Sequence, residues 1–246
     1  MKTKLLYLML ISSMILWAPS CKKNDVQLPS GGSSITIVNA LVGSSSLVAN
    51  FNYNVQLKYY ATAQQISYAS AFEFGYYSGN LPLALSDLTD TTHDVFKQIV
   101  PLPKNTIGSL YITGTLAAPE SFQSTDHPPY HAPADSTVGI RFVNLSPGSS
   151  PVSVNIQGAA NGSEVTTLAY KNITAFKNYA ATYNISSYTF EFRDVATGTL
   201  LTTYTLSGVN NGDNGDQNQN NVRWKNITIA LSGLPGSQGT FQINNY

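Results

Sequence analysis

The sequence is poor in cysteine and in charge. Cys21 is the only cysteine among 246 residues, so no intramolecular disulfide can form and the fold must be stabilised by its core. Charged side chains make up 11% of the residues, against about 25% in typical domains. The 13 basic side chains are balanced by 13 acidic ones. Because no basic excess can drive counterion release, we expect no nucleic-acid partner.

Sequence patterns typical of catalysis are also missing. The chain has no Gly-x-Ser-x-Gly elbow and no phosphate-binding glycine loop. Glycoside hydrolysis needs two carboxylates that face each other across a cleft. The candidates Glu73 and Glu191 each lie between two phenylalanines, and strand alternation places them on the face opposite the rings, where we expect solvent. We therefore predict no enzymatic activity and no cofactor.

The longest apolar run is the N-terminal segment Leu5–Trp17, of 13 residues, behind Lys2 and Lys4. A membrane-spanning helix needs about 20 apolar residues, whereas a basic start and a short apolar core are typical of a cleaved signal peptide. We interpret residues 1–20 as that peptide. Its removal takes two lysines away and leaves 11 basic against 13 acidic side chains, a net charge of −2.

Ser20 and Cys21, followed by the charged stretch "CKKND", resemble the processing site of bacterial lipoproteins of the Bacteroidetes type. The resemblance implies that Cys21 is acylated, with palmitate among its acyl groups, and that the protein is anchored in the cell envelope at the outer membrane. Two or more acyl chains bind a membrane stably, whereas one binds marginally. The membrane is thus an expected partner, through the N-terminal lipid.

Composition divides the rest of the chain. Residues 21–34 have the Gly, Ser and Pro content of a flexible tether. Residues 118–137 are rich in proline, which lacks the donor that a strand interior needs. We interpret this stretch as a semi-rigid linker between two modules, residues 35–117 and 138–246.

The two modules repeat each other in sequence. Ile35–Asn52 aligns without gaps on Ile140–Gln157 at an offset of 105, and seven of the 18 positions are identical. Apolar residues alternate in phase in both segments, which predicts a strand, a Gly-Ser turn and a second strand. No stretch keeps a convincing helical stripe. The sequence therefore predicts an all-β fold of two tandem antiparallel β-sandwiches, with about seven strands each.

Two later segments extend the repeat. Asn80–Asp87 matches Ser187–Asp194 at an offset of 107, and "LYI", residues 110–112, matches "ITI", residues 227–229, at an offset of 117. The increase in offset is explained by an insertion in the Asn/Gly/Asp-rich tract of residues 210–221, because a longer surface loop costs little.

The stretch Val138–Gly158 resembles the opening of a bacterial extracytoplasmic Ig-like module, a family known as a domain of unknown function. The pattern is carried by Arg141, Val143, Asn144, Ser146, Pro147 and Gly158. The first module departs from it at Thr36 and at residues 41–42, so its membership rests on the internal repeat. The resemblance implies an Ig-like sandwich in a secreted or lipid-anchored protein, and it assigns no catalytic residues.

Aromatic residues are the best candidates for binding. The adjacent pairs Tyr59, Tyr60 and Tyr76, Tyr77 should each have one outward ring if they lie in strands, and Trp224 should face outward unless a bulge returns it to the core. Outward tyrosines stack on sugars or anchor protein partners, but they also line sandwich edges. Asp213 and Asp216 offer oxygen ligands for calcium, although no closing glutamate follows them.

These observations favour a non-catalytic cell-envelope lipoprotein that presents a binding or structural surface to a glycan or a surface protein. The alternative is a carbohydrate-active enzyme or an accessory subunit of a glycan-uptake system.

Overall fold

Short stretches of alternating apolar and polar residues form the strands of this fold. A computed structural model of the protein describes residues 31–211 and 220–245. In this part of the chain the regular elements are sixteen strands and one short 3-10 helix, Tyr60–Thr62. No helix in the described ranges is long and apolar enough to cross a membrane.

The first eight strands form two four-stranded sheets. They are β1 (Gly32–Asn39), β2 (Ser46–Asn50), β3 (Gln65–Ser67), β4 (Ser70–Tyr77), β5 (Gly79–Asp87), β6 (Asp90–Leu102), β7 (Ile107–Thr115) and β8 (Ala118–Asp126). One sheet has the order β4-β1-β7-β8 and the other β3-β2-β5-β6. Apolar side chains of both sheets, among them Ile37, Leu83 and Leu110, meet in one buried core. This is the first sandwich.

The second sandwich has the same topology. Its strands are β9 (Thr137–Asn144), β10 (Val152–Ile156), β11 (Val165–Leu168), β12 (Lys177–Ala180), β13 (Ser187–Asp194), β14 (Leu200–Ser207), β15 (Asn226–Ser232) and β16 (Gly239–Asn245). The sheets have the orders β12-β9-β15-β16 and β11-β10-β13-β14, and Phe142, Phe190 and Ile229 lie in the core between them. The prediction of an all-β chain with two tandem sandwiches is confirmed.

The sheets are not purely antiparallel, which corrects one detail of the prediction. β1 pairs with β7 in parallel, and β15 pairs with β9 in parallel. Successive strands alternate in direction, so two odd-numbered strands that become neighbours run the same way. All other strand pairs within the four sheets are antiparallel.

Strand pairing also corrects the repeat offset near the C-terminus. Ile37 pairs with Leu110, and its counterpart Phe142 pairs with Ile229. Leu110 is therefore equivalent to Ile229, at an offset of 119 rather than 117. A slip of two residues keeps every side chain on the same face of a strand, so the apolar pattern alone does not reveal it.

The two sandwiches pack against each other through the outer faces of the β4-β1-β7-β8 and β12-β9-β15-β16 sheets. A third buried apolar cluster fills the junction; its members are Val38, Ala40, Tyr111, Val143, Leu145, Ala230, Phe241 and Ile243. Arg141 lies beside this cluster and forms a buried ion pair with Asp126, with 2.7 Å between Nη1 and Oδ1. The four sheets are consequently stacked in four layers.

The predicted linker begins too early in the sequence. Its first half, Ala118–Asp126, is strand β8 and pairs with β7 along its whole length. β8 is an edge strand, and an edge strand tolerates Pro119 because the missing donor falls outside the ladder. The connection between the sandwiches is therefore residues 127–136. It is held against the second sandwich by His131, whose Nε2 lies 3.0 Å from Asn226 Oδ1.

Candidate functional site

The first predicted tyrosine pair lies in a loop rather than in a strand. Residues 51–64 connect β2 to β3, and Tyr60 begins the 3-10 helix. Tyr59 is 71% exposed, while Tyr60 is half-buried. The alternation argument therefore does not apply to this pair, although its outcome, one outward ring, is what the structure has.

The second pair lies at the end of β4, and both of its rings are exposed. Alternation places Tyr76 on the inner face with Phe74, yet Tyr76 is 38% exposed and Tyr77 is 53% exposed. β3 has only three residues and leaves this end of β4 uncovered. Phe51 stacks on Tyr76 instead, with ring centroids 5.3 Å apart. These rings close the open edge of the sandwich, a structural role that sequence reasoning had allowed for.

Trp224 is exposed without belonging to a strand. It lies in the turn before β15 with a φ of 61° and is 46% exposed. Its backbone N–H donates to the Thr137 carbonyl at 2.7 Å, which fixes the turn. Asp213 and Asp216, the candidate calcium ligands, lie outside the described residues. Within the described ranges no three His, Cys, Asp or Glu side chains form a group that could hold a metal ion.

A groove on the first sandwich brings together one predicted tyrosine and several polar side chains. It has a volume of about 610 Å³, inside the range of about 300–1,000 Å³ typical of small-molecule sites. It is lined by Asn50, Tyr53, Asn54, Gln56, Leu57, Tyr60, Ala84, Thr91, Thr92 and Asp94. Of the predicted residues, only Tyr60 lines it; Tyr59, Tyr76, Tyr77 and Trp224 do not.

The wall of the groove formed by residues 51–64 is tied to the sheet below it. Asn50, at the end of β2, donates from Nδ2 to the Val55 carbonyl and accepts from the Asn52 N–H, both at 3.0 Å. The Tyr53 N–H donates to the Pro82 carbonyl of β5 at 3.3 Å. These hydrogen bonds give the loop a defined shape over the outer face of β2 and β5, which is what a preformed site requires.

The opposite wall is the start of β6, and hydrogen bonds to Asp90 order its turn. Asp90 accepts hydrogen bonds from the Thr92 hydroxyl at 2.5 Å, from the Thr92 N–H at 3.0 Å and from His93 Nδ1 at 2.7 Å. These contacts lower the pKa of Asp90 to about 2, and the hydrogen bond from the Thr92 hydroxyl is the largest cause. The turn thereby holds Thr91 and Thr92 at the rim of the groove.

Charge in the groove is balanced locally. Asp94 contributes the only carboxylate among the lining residues, and Lys97 Nζ lies 3.2 Å from its Oδ2. The same ammonium lies 5.3 Å from the centre of the Tyr53 ring. Ser86 donates a further hydrogen bond to Asp94 Oδ1 at 3.0 Å. One carboxylate does not provide the pair of acids that glycoside hydrolysis uses.

The second sandwich shows why the first has a groove. Asn50 is paired with Ala84 across β2 and β5, and the equivalent pair in β10 and β13 is Asn155 with Glu191. Ser86 is likewise replaced by Arg193. The connection above this face has eight residues, 157–164, where the first sandwich has fourteen, 51–64. Small floor residues and a long loop thus distinguish the first sandwich.

Glu191 and Arg193 cover the outer face of the second sandwich at this position. Arg193 Nη2 lies 2.9 Å from Glu191 Oε2, and Asn155 Nδ2 donates to the same oxygen at 2.8 Å. The hydrogen bond from Asn155 and then that from Arg193 lower the pKa of Glu191 below its usual value. Glu191 is only 8% exposed, so the expectation of a solvated strand residue was wrong, because two neighbouring side chains cover it.

The residues shared by both modules have structural roles. Asn144 donates to Ser149 and to the Leu168 carbonyl, and accepts from the Ser146 N–H. Asn39 makes the same three hydrogen bonds in the first sandwich, with Ser44, Ile66 and Leu41. The turn glycines Gly43 and Gly148 both have positive φ, a backbone conformation that glycine adopts without strain.

Sequence reasoning missed most of the groove. Asn50, Asn54 and Gln56 are ordinary polar residues in the sequence, and Tyr53 stands apart from the tyrosine pairs. The signal that could have found them is the longer connection in the first repeat, with three tyrosines where the second repeat has none. No protein-family model matches the chain, and a comparison with curated proteins finds no match.

Proposed function

We propose that the protein is a non-catalytic cell-envelope lipoprotein, anchored at the outer membrane through Cys21, that presents a ligand-binding groove on the first of two Ig-like sandwiches. The observation that carries the proposal is the groove itself. It occurs where one copy of the repeat has Ala84 and Ser86 and the other has Glu191 and Arg193.

The difference between the copies supports binding rather than a purely structural role. Both sandwiches have the same topology and the same asparagine hydrogen bonds, so stability alone does not call for a recess in one of them. The lining combines two tyrosine rings with amides and hydroxyls, the mixture of apolar and directional polar groups typical of ligand sites. The lining includes one carboxylate, which supports a site that binds its ligand and leaves it intact.

Membrane anchoring is supported by the sequence of the leader, with a basic start, a short apolar core and Cys21 after Ser20. The resemblance of Val138–Gly158 to extracytoplasmic Ig-like modules points to the same compartment.

The anchor is tested by expressing the wild type and the Cys21→Ala variant in a bacterial host. We expect the wild type to lose residues 1–20, gain acyl mass and enter the detergent phase. The variant should gain no acyl mass and should stay out of the detergent phase. Intact mass and detergent partitioning measure this. Release of both proteins as unacylated soluble forms would contradict lipidation.

The groove is tested with a variant that imports the residues of the second sandwich, Ala84→Glu with Ser86→Arg. Full-length protein in detergent is screened by thermal shift against a panel of oligosaccharides and unstructured peptides. We expect at least one member to stabilise the wild type but not the filled variant, and to keep its mass after incubation. Equal stabilisation of both proteins, cleavage of the ligand, or no stabilisation by any member would contradict the proposal.

A further inference from the structure

The groove has the polar groups that recognise hydroxyls rather than charges. Asn54 and Gln56 each offer an amide donor and an amide acceptor, and Thr91 adds a hydroxyl that both donates and accepts. The Thr92 hydroxyl donates to Asp90 and adds an acceptor. Asn54, Gln56 and Thr92 are exposed at the rim. A set of this kind matches a ligand whose own groups are each donor and acceptor at once, as in a sugar.

Charge narrows the ligand class further. Asp94 is the one charged residue among those lining the groove, and Lys97 pairs with it across 3.2 Å. A ligand with carboxylates or sulfates would meet no cation among the residues that line the groove, and a cationic ligand would have to displace Lys97 from Asp94. Because the two opposite charges offset each other, the pair contributes little net attraction to a charged ligand.

Two tyrosine rings line the groove, and Lys97 Nζ lies 5.3 Å from the centre of one of them, Tyr53. Tyr60 is half-buried in the 3-10 helix and lines the groove. A tyrosine ring presents flat apolar faces to the C–H groups of a sugar while its hydroxyl remains hydrogen-bonded. A peptide bound in extended form would instead pair along a free strand edge. The floor of the groove is formed by β2 and β5, which are each paired on both sides, and the edge strand β6 contributes only a wall.

We infer that the groove binds a short neutral oligosaccharide. Tyr60 packs against a sugar ring, and Asn54, Gln56, Thr91 and Thr92 bind its hydroxyls. The volume of about 610 Å³ suits a ligand of small-molecule size rather than a protein surface. This inference rests on the proposed function and names the ligand class of the same groove.

The test is calorimetric titration of the full-length protein in detergent with defined hexasaccharides. The neutral probes are maltohexaose, cellohexaose, xylohexaose, mannohexaose and chitohexaose, and the anionic ones are hexagalacturonate and a heparin hexasaccharide. Tyr60→Ala removes the ring from an exposed loop, and Gln56→Ala removes an amide at the rim. Tyr130→Ala is the matched control, since Tyr130 is 84% exposed and lies outside the groove.

We expect at least one neutral hexasaccharide to bind, with affinity about tenfold lower in Tyr60→Ala, several-fold lower in Gln56→Ala and unchanged within twofold in Tyr130→Ala. Binding of anionic probes in preference to all neutral ones would overturn the inference, as would neutral binding that Tyr60→Ala and Gln56→Ala leave unchanged. If no neutral probe binds while a peptide from the screen stabilises the wild type but not the filled variant, the ligand class is wrong and the proposed groove stands.

Discussion

Arg141 is expected to be the most sensitive polar residue at the junction of the two sandwiches. Its guanidinium pairs with Asp126 at 2.7 Å, and the two side chains are 5% and 0% exposed. It also donates to Thr228 Oγ1 at 2.7 Å and to the Tyr111 hydroxyl at 3.2 Å. The repeat supplies neutral replacements, because Thr36 occupies the position equivalent to Arg141 and Asn245 the position equivalent to Asp126.

The magnitude follows from the burial of both charges. Removing one partner of a buried pair leaves the other uncompensated and costs about 3–5 kcal/mol. We therefore expect Arg141→Thr and Asp126→Asn each to lower the free energy of unfolding by about that much. The loss of unfolding free energy in the double variant should be smaller than the sum of the two single losses by about 2–4 kcal/mol. Two unit charges roughly 4 Å apart interact by about 4 kcal/mol at an effective dielectric constant of about 20.

Urea unfolding of the four proteins completes the double-mutant cycle. Lys171→Ala is the control at the same junction, because Lys171 pairs with Glu120 at 2.6 Å while 35% and 40% exposed, and an exposed pair contributes at most about 1 kcal/mol. Single costs below about 1 kcal/mol, or additivity of the two substitutions, would refute the reasoning that the pair is buried and coupled.

Two further predictions concern stability within each sandwich. Asn39→Ala and Asn144→Ala should each lower the free energy of unfolding by about 2–3 kcal/mol in urea titrations, because each removes three hydrogen bonds made by a fully buried side chain. The control Asn54→Ala, in the exposed loop, should change the free energy of unfolding by less than about 0.5 kcal/mol. If only one of the two asparagine variants were destabilised, the equivalence of the repeats would be contradicted. Burial opposes ionisation of Asp87, yet hydrogen bonds from Ser44, Thr89 and Ser45 outweigh it and hold the pKa below the ordinary 3.8. Ionised Asp87 therefore stabilises the fold fully above pH 3.8, and this stabilisation is lost as the pH falls through the lower pKa of the folded state. Below about pH 4 the free energy of unfolding should depend less steeply on pH in Asp87→Asn than in the wild type. An unchanged slope would contradict this prediction.

The repeat could be predicted from the sequence because its most informative residues are structural. Asn39 and Asn144 are identical, and so are the turn glycines, since the same three hydrogen bonds and the same positive φ recur in both sandwiches. Alternation correctly placed Glu191 on the face of β13 opposite the core residues Phe190 and Phe192. It could not fix the register near the C-terminus, because a shift of two residues leaves the alternation unchanged.

The groove and the junction could not be predicted in the same way. The groove depends on which residues stand opposite Asn50 and Asn155, a pairing that only the sheet register reveals. Tyr60 lies in the loop that forms one wall of the groove. The prediction that one tyrosine of the pair faces outward assumed strand alternation, which does not apply to a loop. The junction buries Arg141 and Asp126, and charged residues are ordinarily interpreted as exposed.

The central claim is that the first sandwich binds a ligand in a groove that the second has filled. Hydrogen exchange of the full-length protein, with and without the best-binding neutral hexasaccharide, tests it most directly. We predict slower exchange at residues 50–60 and 91–94, and no change at the equivalent connection, residues 157–164. Protection of both sandwiches alike, or protection at Trp224 and residues 157–164 with none at 50–60, would contradict the account.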